Sequence, residues 1–160
     1  MGLDITAYSR LRYLRPNNGD DYEDGTLATY MFENAFADRA APVLPDSIYV
    51  VDGESFSFRA GSYSGYNIWR DTLARVMLSA SAKEVWSNRA DLSGARFTEL
   101  INFSDCEGVI GSVAAAKLAR DFAEWQKVAD QVDDAYWCEL YAKWRRAFEL
   151  ASNDGCVYFG

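Results

Sequence analysis

Along residues 3–13 the odd positions read Leu3, Ile5, Ala7, Ser9, Leu11 and Tyr13, against Asp4, Thr6, Tyr8, Arg10 and Arg12 at the even ones. That alternation, held over about ten residues, predicts one half-buried strand. Residues 15–26 are polar, acidic and glycine-containing, which predicts an exposed loop whose Asp20, Asp21, Glu23 and Asp24 form a solvated rim. Residues 27–37 fit a short helix or a strand. After Pro42 and Pro45, two runs at 48–51 and 54–60 flank Asp52-Gly53, and Phe56, Phe58 and Ala60 alternate on the second. An Asp-Gly step between two such runs predicts a hairpin.

Beyond residue 60 the apolar period lengthens toward that of a helix. Trp69, Leu73, Val76 and Met77 share one face of a helix over 66–80, with Ser64 or Asn67 as N-cap. Ser112 is placed to cap a second, in which Val113, Ala116, Ala119, Phe122 and Trp125 recur at helical spacing. Val132, Ala135, Tyr136, Leu140, Trp144, Ala147, Phe148 and Ala151 define a third, which Gly155 is able to end. Cys156, Val157, Tyr158 and Phe159 read as a last strand. The expected architecture is a single α+β domain over residues 1–160: an antiparallel sheet from the N-terminal half, packed by about three helices from the C-terminal half. Trp137 and Tyr141 sit off the main apolar stripe of the third helix, so they either make a subunit contact or wrap into the same core. The reading leans to the first and to a homo-oligomer.

Composition removes function classes rather than adding them. Of 160 residues, 49% are apolar and 25% charged, values ordinary for a globular chain. The net charge is −8 with no basic run, which argues against direct binding to nucleic-acid phosphates. No apolar run approaches the length that spans a membrane. Histidine is absent, and with it go the usual general base, every Ser-His or Cys-His pair and the commonest metal ligand. Cys106, Cys138 and Cys156 are odd in number without CxxC spacing, so neither a zinc site nor a disulfide framework is expected. Three unpaired thiols suit a cytoplasmic location. No cofactor is expected. Met1-Gly2-Leu3-Asp4-Ile5-Thr6 matches a myristoylation template, but the second signal needed for stable anchoring is missing, and an ordinary strand start is the expectation.

Two segments carry candidate chemistry. Residues 57–70 (SFRAGSYSGYNIWR) run from a predicted strand through a small, flexible turn into a helix start. Arg59 and Arg70 are suited to clamp a phosphate, with Ser62, Ser64, Asn67 and free backbone N–H groups as further donors. Tyr63, Tyr66 and Trp69 offer flat surfaces to a base. The stretch is not a P-loop, since it lacks the GK[ST] ending. Residues 102–111 (NFSDCEGVIG) place Ser104, Asp105 and Glu107 in a polar turn, where they are able to read a base edge or ribose, hold a cation, or cap backbone N–H groups. Cys106 lies between two carboxylates, which disfavours its thiolate. No catalytic residue is assigned.

The opening MGLDITAY, the central SFRAGSYSGYNIWR, the INFSDCEGVIG turn, KLARDF at residues 117–122 and the terminal apolar strand together resemble a family of small proteins encoded in phages and prophages. The resemblance covers most of the chain, with residues 15–50 matching least, and implies a context rather than a reaction. A small phage protein without catalytic machinery most often acts by binding a host protein or a host signalling molecule. Many members end in a histidine, whereas this chain ends Tyr158-Phe159-Gly160, so a role carried by that imidazole does not transfer.

Two functions follow as expectations. The first is a binding module that sequesters a phosphate-bearing, nucleotide-derived small molecule, such as a host immune signal, without turnover. The second is an acidic inhibitor of a host defence complex that imitates nucleic acid, resting on the charge and the 20–24 cluster; a hydrolase built on Asp105 and Glu107 trails both. Under the first, Arg70→Ala and Tyr66→Ala remove binding and leave folding intact.

Overall fold

The computed structural model describes residues 1–19, 22–87 and 90–160. Its strands are β1 (Gly2–Tyr8), β2 (Leu11–Pro16), β3 (Thr26–Ala28), β4 (Ser47–Val51), β5 (Ser55–Ser62), β6 (Gly108–Gly111) and β7 (Cys156–Phe159). The helices are α1 (Tyr63–Leu78), α2 (Ala82–Trp86), α3 (Thr98–Ile101), α4 (Ser112–Glu124), α5 (Gln126–Ala129) and α6 (Ala135–Ala151), with a 3-10 segment at Asn34–Ala40. The domain is α+β. Two antiparallel sheets form, one in the order β5-β1-β7-β6 and a smaller one in the order β2-β4-β3.

The expected N-terminal sheet is therefore two sheets, and the larger takes its β6 and β7 from the C-terminal half. The predicted strand over 3–13 breaks at Arg10, whose φ of 49° turns the chain out of the extended region. The predicted hairpin does not form either: β4 and β5 belong to different sheets. In its place, the Asp52-Gly53 step runs beside Ser9-Arg10. Ser9 N–H donates to Glu54 O at 3.0 Å, Glu54 N–H to Ser9 Oγ at 2.9 Å, and Asp52 N–H to Arg10 O at 3.0 Å. Tyr8 pairs with Ser55 before the break and Leu11 with Val51 after it. The two segments thus make one antiparallel ribbon that kinks from one sheet into the other. Gly53 permits the kink, since a Cβ there would lie 2.3 Å from Ser9 Oγ and 2.4 Å from Ser9 O.

Alternation along β1 sends Leu3, Ile5 and Ala7 to one face, where α1, α4 and α6 cover the large sheet. Trp144 on α6 sits at the centre of that core, within 5.9 Å, ring centre to ring centre, of Phe58, Tyr66, Trp69, Phe148 and Phe159. Trp69 and Trp137 stack and exchange indole hydrogen bonds, each Nε1–H donating to the other's backbone oxygen, at 3.2 and 3.1 Å. Trp137 and Tyr141 wrap into the core, the second of the two expected alternatives; on α6 it is Tyr136, expected inside, that is exposed. On α4 the buried positions are Ala115, Leu118, Asp121 and Phe122; of the expected face Phe122 is buried, Ala119 and Trp125 pack partly buried on the core, and Val113 is exposed. The opposite side of the large sheet receives the small one: Cys156 and Val109 pack with Leu27, Val43 and Tyr49, and with the partly buried Tyr8, Phe32 and Tyr158. Among the described residues, no helix is long and apolar enough to cross a membrane.

Trp144→Ala should lower unfolding free energy by about 3–5 kcal/mol in urea titration. Burial also raises the hydroxyls of Tyr66 and Tyr141 above the ordinary tyrosine range. A raised folded-state pKa keeps its stabilisation below the unfolded value, near 10, and loses it as pH climbs toward the folded value. The urea midpoint is therefore expected to fall as pH passes about 10, and a midpoint that stays level there would contradict the burial of both hydroxyls.

Candidate functional site

Ser62, at the end of β5, caps α1: its Oγ accepts from Gly65 N–H at 3.0 Å and lies 3.2 Å from Ser64 Oγ. The helix begins at Tyr63, earlier than the expected caps Ser64 and Asn67. Arg59 is exposed and reaches Asp4 on β1 at 3.4 Å. Tyr63 is half-buried against the core, and Ser62 and Ser64 are exposed. Tyr66 and Trp69, expected as stacking surfaces, have their rings against Trp144 and each other, and Trp69 also against Trp137. Neither presents a face to a ligand.

Arg70, expected as a phosphate clamp, points inward and is only 3% exposed. Its Nη1–H donates to Phe103 O at 2.5 Å and its Nη2–H to Asn67 Oδ1. The guanidinium carbon lies 5.0 Å from the Tyr66 ring centre and 4.8 Å from that of Trp86. Asn67 in turn donates from Nδ2 to Asp105 Oδ2 at 2.7 Å. The two segments singled out in the sequence are thus joined, Arg70 and Asn67 of α1 holding Phe103 and Asp105 of the turn. A buried guanidinium is costly unless it is hydrogen-bonded; here a carbonyl, an amide and two ring faces meet it, with the Asp105 carboxylate one residue away through Asn67.

Within the turn, Ser104 Oγ accepts from the N–H groups of Cys106 and Glu107 at 3.4 and 3.3 Å, which shapes the bend and leaves Glu107 exposed. Gly108 follows with φ +132°, a conformation open to glycine, and a Cβ there would meet the Phe103 ring at 2.8 Å. That close approach locks Phe103 against Phe36 and Phe159, with ring centres 5.2 and 4.8 Å away.

Three surface hollows meet at this junction. The first, of about 410 Å³, is lined by Glu33, Phe36, Arg70, Trp86 and residues 102–106. It shares Asn102 with a second of about 130 Å³, which Arg39, Ser93, Gly94 and Thr98 line. It shares Glu33, Phe36 and Phe103 with a third of about 70 Å³, where Glu107, Tyr30 and Tyr158 also contribute. Adjoining through these shared residues they make a trough: an arginine and two hydroxyls line the second hollow, a 41% exposed indole lines the first beside Glu33 and Asp105, and Glu33 and Glu107 line the third. Arg39 Nη2–H donates to Asn102 O at 3.2 Å and Nη1–H to Asp38 at 2.8 Å. The Nε–H groups of Arg39 and Arg70 are both buried without a partner among the described residues, leftover donor capacity beneath the trough.

Of the expected site residues, Arg70, Ser104 and Asp105 line the trough and Glu107 its acidic end, while Asn67 supports it from behind. Arg59, Ser62, Tyr63, Ser64, Tyr66 and Trp69 do not line it. Trp86, Arg39, Phe36 and Glu33 were missed; Trp86 and Arg39 lie outside every motif, and Glu33 and Phe36 fall within the 27–37 stretch that no periodicity resolved. In the acidic cluster, Glu23 and Asp24 are exposed, and Asp20 and Asp21 lie outside the described residues. Among the described residues no group of three or more acidic or cysteine side chains is arranged to hold a metal ion. Comparison with protein-family models, with curated proteins and with solved structures finds no match.

Arg70→Ala strands the Phe103 carbonyl and the Asn67–Asp105 pair, and should cost about 2–4 kcal/mol in chemical denaturation. Arg70→Lys should recover little of that, since an ammonium cannot reproduce the forked contacts. This reverses the expectation that Arg70→Ala leaves folding intact. Thiol labelling gives an independent check of the surrounding fold. Cys156 is fully buried and its thiol is pushed up to about 12 by desolvation, whereas Cys106 is exposed. Cys106 should react with a disulfide reagent in the native state and Cys156 after unfolding.

Proposed function

We propose that the protein binds and sequesters a phosphate-bearing, nucleotide-derived small molecule without turnover, and that the trough is its seat. The observation that carries the reading is that the hollow lined by Arg39, Ser93 and Thr98 adjoins, at Asn102, the one lined by the exposed Trp86 ring. A phosphate held at Arg39 takes charge-assisted hydrogen bonds that a neutral ligand does not. A base laid on Trp86 gains stacking on the ring face turned away from Arg70. Asp105 and Glu33 then accept from exocyclic amino groups. Earlier emphasis on Arg59 and the Ser62 turn gives way, because the aromatic residues there are spent on the core. Read with the resemblance to phage proteins, the ligand is a host immune signal captured in the host cytoplasm, and capture alone is sufficient for such a role. Nanomolar capture needs about −12 kcal/mol, within reach of a preformed site offering a stack and a few charged contacts.

Native mass spectrometry with a panel of linear and cyclic nucleotides tests this. A discrete adduct and a matching rise in melting temperature are expected for at least one member. Trp86→Ala and Arg39→Ala should each weaken that binding about tenfold or more while the circular dichroism spectrum is kept. The proposal fails if no nucleotide adds mass, or if both variants bind as the unaltered protein does.

A further inference from the structure

The smallest of the three hollows has a chemistry of its own. Five aromatic residues, Tyr30, Phe32, Phe36, Phe103 and Tyr158, line it together with Glu33 and Glu107, and both glutamates are exposed. No lysine or arginine lines it among the described residues. Its position is set by the fold: Glu107 and Tyr158 come from the paired strands β6 and β7 and their approach, while Tyr30, Glu33 and Phe36 come from the segment that leaves the small sheet after β3, packs on β6 and returns to the small sheet at β4. Phe103, held by Arg70 on one side and crowded by Gly108 on the other, fixes the inner wall.

Aromatic faces carry the negative part of the ring quadrupole, so a box of rings attracts a cation, most strongly one that is poorly hydrated. The exposed carboxylates add long-range attraction and repel anions. An inorganic cation would have to exchange its water shell for ring carbons, so the favoured guest has an alkylated cationic centre. The size agrees: a cavity of about 70 Å³ has room for about five water-sized groups, which matches the heavy atoms of a tetraalkylammonium head.

We infer that this hollow is a binding site for a small organic cation of the quaternary-ammonium class, held by the aromatic lining of Tyr30, Phe32, Phe36, Phe103 and Tyr158 with Glu33 and Glu107 as counter-charges. It does not rest on the nucleotide reading. Trp86 and Arg39, which carry that reading, do not line this hollow.

Calorimetric titration of the whole protein with choline, beside its uncharged carbon isostere 3,3-dimethylbutan-1-ol, provides the test. Choline is expected to bind at least about tenfold more tightly than the isostere, and its affinity should fall as salt is raised. Both carboxylates are exposed, so the Glu33→Gln, Glu107→Gln double variant should keep its melting temperature. That variant should lose about tenfold in choline affinity with the isostere unchanged. Trp86→Ala should leave choline binding intact, which separates this site from the nucleotide site. Equal affinity for choline and the isostere, no choline binding at millimolar concentration, or an unaffected double variant each overturns the inference. A trimethyllysine peptide that binds more tightly than choline would overturn the assignment to a free small molecule.

Discussion

One buried charge organises the functional half of this molecule. Arg70 is placed on the inner face of α1 by the same helical spacing that puts Tyr66, Trp69 and Leu73 in the core. Once there, its guanidinium has to be met by protein groups, because an unpaired charge in that position costs several kcal/mol. The 102–107 turn is what meets it. Its Phe103 carbonyl and, through Asn67, its Asp105 carboxylate are drawn onto α1, and the Trp86 indole closes over the far side. The trough is the surface left above that arrangement, so the residue whose sequence context suggested a ligand clamp serves instead as the trough's floor.

A second constraint comes from the kinked ribbon. β1–β2 and β4–β5 cross together from one sheet to the other, and the chain between β3 and β4, though both strands belong to the small sheet, packs over the edge strand β6 of the large one. There it packs closely: Gly111 has the backbone oxygens of Ala40 and Ala41 where a Cβ would stand, at 2.1 and 2.3 Å. This crossing segment carries Tyr30, Glu33, Phe36 and Arg39, which supply the outer wall of every hollow in the trough. Kink and buried arginine act on opposite sides of the same cleft.

The aromatic residues divide accordingly. Those at helical spacing on α1 and α6 are consumed by mutual packing around Trp144, where ring contacts outweigh anything a ligand offers. Those outside the two long helices divide differently: Trp86 at the end of α2 and Tyr30 are exposed, Phe36 is partly buried, and Phe103 is buried beneath them. Charge is graded along the same line: Arg39 lines one hollow, Arg70 shares the next with Glu33 and Asp105, and Glu33 and Glu107 line the last, where no described basic residue contributes.

Local chemistry legible in the sequence held where the chain itself decides the outcome. Period two marked β1 and the terminal strand, helical spacing marked α1, α4 and α6, and the two polar segments proved to be neighbours. These are short-range consequences of backbone geometry, which a single sequence encodes residue by residue. Pairing was different. Asp52-Gly53 looks locally like a hairpin turn, yet Ser9 and Arg10 compete for its hydrogen bonds from over forty residues away, and only the folded chain brings them there. The direction in which Arg70 points was undetermined for the same reason: one side chain on a helix serves equally as an exposed clamp or an internal brace until the turn that receives it is in place. The trough could not be read in advance because its walls are drawn from segments near residues 36, 86 and 103, and its shape exists only once tertiary packing has set them against one another.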